Sequence, residues 1–372
     1  MNTASNISAW VAWGGFGIAF IVGAVSNRSN FCTLGAVSDI VNMGDWGRMR
    51  MWLLAIAVAI IGAQALYVAG LVDLSRSFYT RPAFTWLSYL VGGLLFGVGM
   101  TLASGCGSRT LVRIGGGNVK SVVGLALLAI GAYMTLKGLF AVWRVAWFDS
   151  VVVDLSAHGI AGQDLPSLLG ALTGFERKAL QVSIAALLAG CLLVFVFADR
   201  EFRRSADHIC GGAVFGLGVV AGWYLTGHAG FGENPDTLET VFFGTNSRTI
   251  ESLTFVAPVA YSLELLMLWT DKSLTVTFGI AALCGMVLGS LAYALAARKF
   301  RWEGFVTVDD LRNHILGGTL MGFGGVTALG CTIGQGVSGF STLAAGSMIA
   351  FAAMIAGCVA TLKYQYWKLS RE

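Results

Sequence analysis

Charge is scarce in this chain. Of 372 residues only 12% are Asp, Glu, Lys or Arg, while 56% are hydrophobic. That is about half the charge of a typical soluble domain, and it excludes a water-soluble globular enzyme. Proline is rare, with 4 in the chain, which excludes collagen-like and proline-rich linker sequence. A net charge of +4, spread over short loops, leaves no basic footprint for nucleic acid. No Lys or Arg precedes Arg28. The charged start of a cleavable signal peptide is therefore missing, and the first apolar run is expected to remain as a permanent helix. There is no phosphate-binding G-x-x-x-x-G-K-[ST] loop, which argues against ATP hydrolysis. There is also no C-x-x-C, no H-x-x-x-H and no Met-rich run, so neither a metal nor a cofactor is expected. The 7 cysteines are odd in number and lie mostly inside apolar runs, which argues against a disulfide framework.

What is abundant is apolar sequence and glycine, 50 residues of it. Apolar runs fall at 9–25, 51–71, 87–103, 119–141, 178–198, 210–226, 252–270, 275–297, 314–330 and 344–362. They do not alternate, which excludes a membrane barrel. Most approach the ~20 residues that cross a bilayer as a helix, so an all-α polytopic membrane protein is expected. Basic loops at Arg48 and Arg50, at Arg200, Arg203 and Arg204, at Arg298, Lys299, Arg301 and Arg312, and at Lys363, Lys368 and Arg371 are placed in the cytoplasm by the positive-inside rule. The N-terminus then lies outside and the C-terminus inside. Ten crossings cannot join those two ends, but nine can. The run at 252–270 is expected not to cross, since it follows Glu251 and contains Pro258 and Glu264.

The chain repeats itself. Gly92-Gly93-Leu94-Leu95-Phe96-Gly97-Val98-Gly99 precedes Gly105-Cys106, and Gly317-Gly318-Thr319-Leu320-Met321-Gly322-Phe323-Gly324 precedes Gly330-Cys331. The offset, 317 minus 92, is 225 without a gap. A third copy at Gly211–Gly218 leads to Tyr224-Leu225-Thr226-Gly227-His228, and a looser fourth at Gly17–Gly23 leads to Asn30-Phe31-Cys32. The single transmembrane domain 1–372 thus divides into halves at about 1–145 and 200–372, joined by a polar extracytoplasmic stretch, 142–177, and a linking helix, 178–198. The topology makes the halves antiparallel, as in transporters built from inverted repeats. Glycines four apart first of all let helices approach closely in lipid. The stretches that follow them say more. Each begins about 14 residues into its apolar unit, roughly 20 Å along a helix, short of the ~30 Å hydrocarbon core. Four re-entrant breaks meeting near the midplane are expected, because non-helical backbone at that depth must line a cavity or be buried in protein.

Cys32, Cys106 and Cys331 follow these breaks. Cys191, Cys210, Cys284 and Cys358 read as small hydrophobes. Thiols suit a soft metal or a sulfur-containing ligand. Arg28 and Arg109 lie within four residues of a break cysteine, and a buried arginine must reach water or neutralise an anion. Gly105, Gly107, Gly330 and Gln335 belong to the breaks, and His228 ends the third unit. Together these residues form the candidate path for a small sulfur oxyanion. Two other functions stay open: sulfur transfer through a cysteine persulfide, and a structural or regulatory membrane subunit.

Asn30-Phe31-Cys32, Gly105-Cys106-Gly107 and Gly330-Cys331-Thr332-Ile333-Gly334-Gln335-Gly336, each after a glycine-rich apolar run, resemble the YeeE/YedE family of sulfur-compound transporters. The resemblance covers nearly the whole chain. It implies uptake of thiosulfate, or of a related sulfur or selenium species, across the cell inner membrane by a transporter rather than an enzyme. It further implies nine helices in two pseudo-symmetric halves, an hourglass shape, and transport roles for Cys32, Cys106 and Cys331. A small cytoplasmic TusA-like sulfur-carrier protein is the implied partner. The polar insert 142–177 departs from the family's short core.

Overall fold

The computed structural model describes residues 3–233 and 238–371. In lipid, backbone N–H and C=O groups must be satisfied within the segment, and the apolar runs fold as helices accordingly. The first stretch gives α1 (Thr3–Ser29), α2 (Thr33–Met43), α3 (Gly47–Val68), α4 (Trp86–Leu102), α5 (Gly107–Gly115) and α6 (Val119–Lys137). The short α7 (Leu139–Trp143) and α8 (Leu165–Thr173) flank a polar excursion, and α9 (Arg177–Ala198) and α10 (Arg200–Arg204) follow it. The rest of the chain forms α11 (Ala206–Tyr224), α12 (Ala257–Met267), α13 (Phe278–Ala296), α14 (Val308–Thr327) and α15 (Ala345–Leu369). Two small antiparallel ribbons complete it: β1 (Ala83–Phe84) with β2 (Val153–Asp154), and β3 (Phe231–Glu233) with β4 (Thr240–Phe242).

Among the described residues, 8 segments are long and apolar enough to cross a membrane: α1 with α2, α3, α4 with α5, α6, α9, α11, α13 and α15. The protein is an all-α multi-pass membrane protein. α14 has 20 residues, enough for a crossing by length, but it opens with Asp309, Asp310 and Arg312. The run at 252–270 yields only the 11-residue α12, about 16 Å long, which is too short to span.

Glycine places α4 and α14 backbone to backbone. A Cβ on Gly92 would stand 2.8 Å from Gly324 O, and one on Gly324 2.6 Å from Gly92 O. Likewise Gly99 would meet Gly317 O at 2.7 Å, and Gly317 would meet Gly99 O at 2.6 Å. The two helices therefore run antiparallel, and the first glycine of each repeat copy faces the last glycine of the other. The next glycines bring in the flanking helices: Gly93 faces Ala350 O of α15, and Gly318 faces Gly124 O of α6.

The two ends of the bundle differ. At one end ion pairs tie the basic loops down, among them Arg50–Asp199 at 2.5 Å, Lys120–Asp310 at 2.7 Å and Arg28–Asp207 at 2.9 Å. At the other end the stretch 142–177 lies over the helix ends. Gln163 N–H donates to Thr80 O (3.3 Å), and Leu165 N–H donates to Leu343 O (2.9 Å).

Candidate functional site

Four helices close in the same way; α13 does so at Arg298 (φ 54), where the Lys299 N–H reaches Ala294 O at 2.8 Å and no cysteine follows, and the other three lead to the site. α1, α4 and α14 each end at a non-glycine residue in the left-handed region: Asn30 (φ 54), Ser104 (φ 56) and Leu329 (φ 57). The next N–H reaches back five residues: Phe31 to Ser26 O at 3.1 Å, Gly105 to Met100 O at 2.9 Å, and Gly330 to Gly325 O at 2.8 Å. This closure satisfies the last carbonyls of a helix. A left-handed non-glycine residue costs roughly 1–2 kcal/mol, so the repetition marks a conformation held by its surroundings. One residue further on, in each of these three, stands a cysteine: Cys32, Cys106 or Cys331.

Each cysteine then begins a new helical segment. Cys32 caps α2, and its sulfur accepts the Gly35 N–H at 3.3 Å. Cys106 caps α5. Cys331 precedes a helical turn that runs into a π-helix at Gly334–Gly339, and its sulfur accepts the Gly334 N–H at 3.4 Å. All three thiols thus sit at positive helix ends. All three are buried, with exposures of 7%, 1% and 0%. Cys106 is an electrostatic neighbour of both Cys32 and Cys331. Hydroxyls surround the sulfurs: Ser108 Oγ lies 3.3 Å and Thr33 Oγ1 3.9 Å from Cys106 Sγ, and Thr254 Oγ1 lies 4.0 Å from Cys331 Sγ. Phe255, fully buried, has its backbone against Cys331 and would touch a methyl placed on Gly107.

A cavity of about 480 Å³ leads toward Cys331 from the end covered by 142–177. Arg81, Asn246 and Tyr261 are among its walls, and Thr254, Leu329 and Gly330 reach it from the Cys331 side. Arg144, which also lines it, is neutralised by Asp149 at 3.0 Å. At the opposite end, Arg109 and Arg113 lie within electrostatic range of Cys32. Arg109 donates to Asn30 Oδ1 (3.2 Å), and Arg113 donates to Ser104 O (2.8 Å). Among the described residues no three His, Cys, Asp or Glu side chains gather as a metal site.

The sequence candidates separate on this geometry. Cys32, Cys106, Cys331 and Arg109 come together. Gly105 abuts the Arg109 side chain, Gly330 abuts Gln335, and Gln335 braces its own break by donating to Ala328 O at 2.5 Å. Arg28 does not join them, because its side chain is 61% exposed and paired with Asp207. His228 stands apart as well. The Tyr224–His228 stretch does not break; α11 continues through a π-helical turn at Leu225–Ala229, and His228 stacks on Tyr224 beside Gly70 and Asp73. The fourth central stretch is instead 250–256, held by Ser338 Oγ donating to Leu253 O and Ser252 Oγ donating to Val219 O. Sequence reasoning also missed Thr33, Ser108 and Arg113, which lie within seven residues of the break cysteines, and Thr254 and Phe255, which carry no repeat signal.

A multi-pass helical bundle whose interrupted helices bring buried polar side chains together is the architecture of a membrane transporter. The chain belongs to the sulphur transport family, whose profile matches residues 28–360. It is similar to the thiosulfate transporter TsuA of Escherichia coli K12, with 27% identity over 326 residues covering 85% of this chain and 84% of that one. It is also similar to the thiosulfate transporter TsuA of Spirochaeta thermophila, with 27% identity over 360 residues covering 93% of this chain and 96% of that one.

Proposed function

We propose that this protein takes up thiosulfate across the cell inner membrane and passes the ion along Cys331, Cys106 and Cys32 in turn. The observation that carries the reading is the common build of the three stations: a buried thiol, a left-handed turn two residues before it, and a helix start behind it. Two halves of inverted orientation make up the path, a reading supported by the reciprocal glycine contacts of α4 and α14. The N-terminus and the 142–177 cover lie outside, and the basic loops and C-terminus lie inside.

Arg81 draws the dianion into the vestibule above Thr254 and Gly330. Thiosulfate has a polarisable terminal sulfur, and neutral thiols give it weak S–H donors. Thiolates would repel the ion. Helix starts add partial positive charge without trapping a full counter-ion. Several weak sites in series allow both entry and release. Arg109 and Arg113, beside Cys32, receive the ion at the inner end, where a TusA-like carrier is its acceptor.

Cys106→Ala and Cys331→Ala are expected to abolish uptake of labelled thiosulfate into proteoliposomes while leaving the unfolding midpoint in detergent unchanged. Normal uptake by both variants would refute the relay. Intact thiosulfate inside the vesicles, with no added sulfur in the mass of the protein, separates this route from persulfide transfer.

A further inference from the structure

We propose that Tyr79 is a specificity-determining residue of the outer station, its hydroxyl donating a hydrogen bond to an oxygen of the transported anion while Cys331 meets the sulfur. The proposal rests on the transport reading above and adds to it a residue from outside the repeats.

Tyr79 sits in the connection between α3 and α4 and is 3% exposed. Its ring has a structural setting: it packs on Phe78 with centroids 4.0 Å apart and meets Trp223 edge-on at 6.2 Å. The backbone around it is fixed. Ser77 Oγ accepts the Tyr79 N–H at 3.1 Å, and Thr80 Oγ1 hydrogen-bonds to Leu74 O, Ser75 O and Ser77 O. The hydroxyl, in contrast, has no structural task. It is buried and has no hydrogen-bond partner among the described residues, and leaving such a group unpaired is costly. Trp223 offers no alternative, because its indole N–H donates to Ser341 Oγ at 2.9 Å. Phenylalanine would pack equally well here, so the oxygen calls for another explanation.

Its position supplies one. A methyl group on Gly334 would stand 3.2 Å from the Tyr79 hydroxyl and 2.6 Å from Thr254 Oγ1. The two hydroxyls therefore converge on the same backbone atom. Gly334 is also the residue whose N–H points at Cys331 Sγ. Tyr79 is an electrostatic neighbour of Cys331, and Thr254 opens onto the vestibule. Cys331 Sγ, Thr254 Oγ1 and the Tyr79 hydroxyl are thus grouped about Gly334, behind the Thr254 wall of the vestibule, whose lining also includes the buried Glu251 carboxylate that accepts the Ser247 N–H at 2.7 Å. A phenol is neutral at physiological pH, so it can donate to an anion with no counter-charge to hold the ion in place. The arrangement suits an anion that carries sulfur at one end and oxygen at the other.

The test is labelled thiosulfate uptake into proteoliposomes by wild type, Tyr79→Phe and Gly334→Ala, with KM, Vmax and the unfolding midpoint measured for each. A lost hydrogen bond to a charged group corresponds to a KM rise of roughly tenfold or more. That rise is expected for Tyr79→Phe, with Vmax and midpoint close to wild type. Gly334→Ala, whose methyl would crowd Thr254 Oγ1 at 2.6 Å and the Tyr79 hydroxyl at 3.2 Å, is expected to raise KM in the same direction and carries the test if Tyr79→Phe fails to fold. Wild-type vesicles that take up no thiosulfate overturn the transport reading and this one with it. Wild-type uptake with an unchanged KM in the variants overturns the role of Tyr79 alone. Loss of Vmax together with a lowered midpoint assigns the residue to ring packing and overturns the role as well.

Discussion

Asp39 and Arg48 show how side chains that make no hydrogen bond to a thiol can decide where a thiol stands. The Asp39 carboxylate, 4% exposed, accepts from both Nε and Nη2 of Arg48. The pair ties α2 to α3. The same guanidinium lies against Gly35, where a methyl would collide with it, and Gly35 is the residue that donates to Cys32. Removing one partner of a buried ion pair costs about 3–5 kcal/mol, because the other charge is left uncompensated. Arg48 keeps some access to water, so about 3 kcal/mol is expected for Asp39→Ala. Equilibrium unfolding in detergent measures it, and a change below about 1 kcal/mol would show that water stabilises Arg48 unaided. The three cysteines were legible in the sequence because glycine runs mark the helices ahead of them, and Cys106 and Cys331 share an ungapped register. Arg28 was misleading because proximity in sequence does not fix direction. It lies on the last turn of α1, pointing to Asp207, whereas Arg113, seven residues past Cys106, returns to Ser104 O along α5. Tyr79 and Thr254 were invisible because they come from connections with no periodicity and no copy.

At the scale of elements the governing contact is helix on helix through glycine. On Gly99→Ala the new methyl would lie 2.7 Å from Gly317 O and 2.8 Å from Met321 N. Both are backbone atoms, so no side chain can rotate away. Overpacking of this kind costs about 1–3 kcal/mol, and Gly99→Ala is expected to lower the unfolding midpoint and the yield of folded protein. Gly17→Ala is the control: it has nothing within 4 Å and should behave as wild type. Equal midpoints for the two variants would rule out tight packing at this site. The breaks after α1, α4 and α14 could be read from glycine runs that end in Asn-Phe-Cys, Ser-Gly-Cys and Leu-Gly-Cys. The Tyr224–His228 stretch has the glycine run but no cysteine after it. There the chain absorbs its extra residue as a π-helical turn instead of stopping. The place of 250–256 was hidden because it is held by single bonds to other segments, Ser252 Oγ donating to Val219 O and Thr226 Oγ1 donating to Glu251 O, and these form no pattern in the sequence.

For the whole molecule, the proposed orientation is testable by accessibility. Leu172, 82% exposed on α8, and Val306, 85% exposed before α14, lie at opposite ends of the bundle. In a background with the exposed Cys191, Cys210 and Cys284 changed to Ser, a cysteine at Leu172 should react with a membrane-impermeant maleimide from outside intact cells. A cysteine at Val306 should react only after permeabilisation. The reverse pattern would invert the topology, and labelling of both from outside would refute the assignment of two faces. Hydropathy and loop charge were sufficient to locate the helices, because lipid constrains every backbone group and the basic loops are few. Of α14 only the apolar part, read as the run 314–330, was recognised, since its first turns carry Asp309, Asp310 and Arg312.

Contact between α4 and α14 through main chain at Gly92, Gly99, Gly317 and Gly324 leaves little cushion of side chains along which the two could glide. A swing of one against the other would drive carbonyl oxygens into Cα atoms at four glycines at once. On the proposed route, passage of an ion would be accommodated by small local yielding in the turns at Asn30, Ser104 and Leu329, with the α4–α14 pair standing still, in the manner of a lock whose tumblers move inside a fixed barrel.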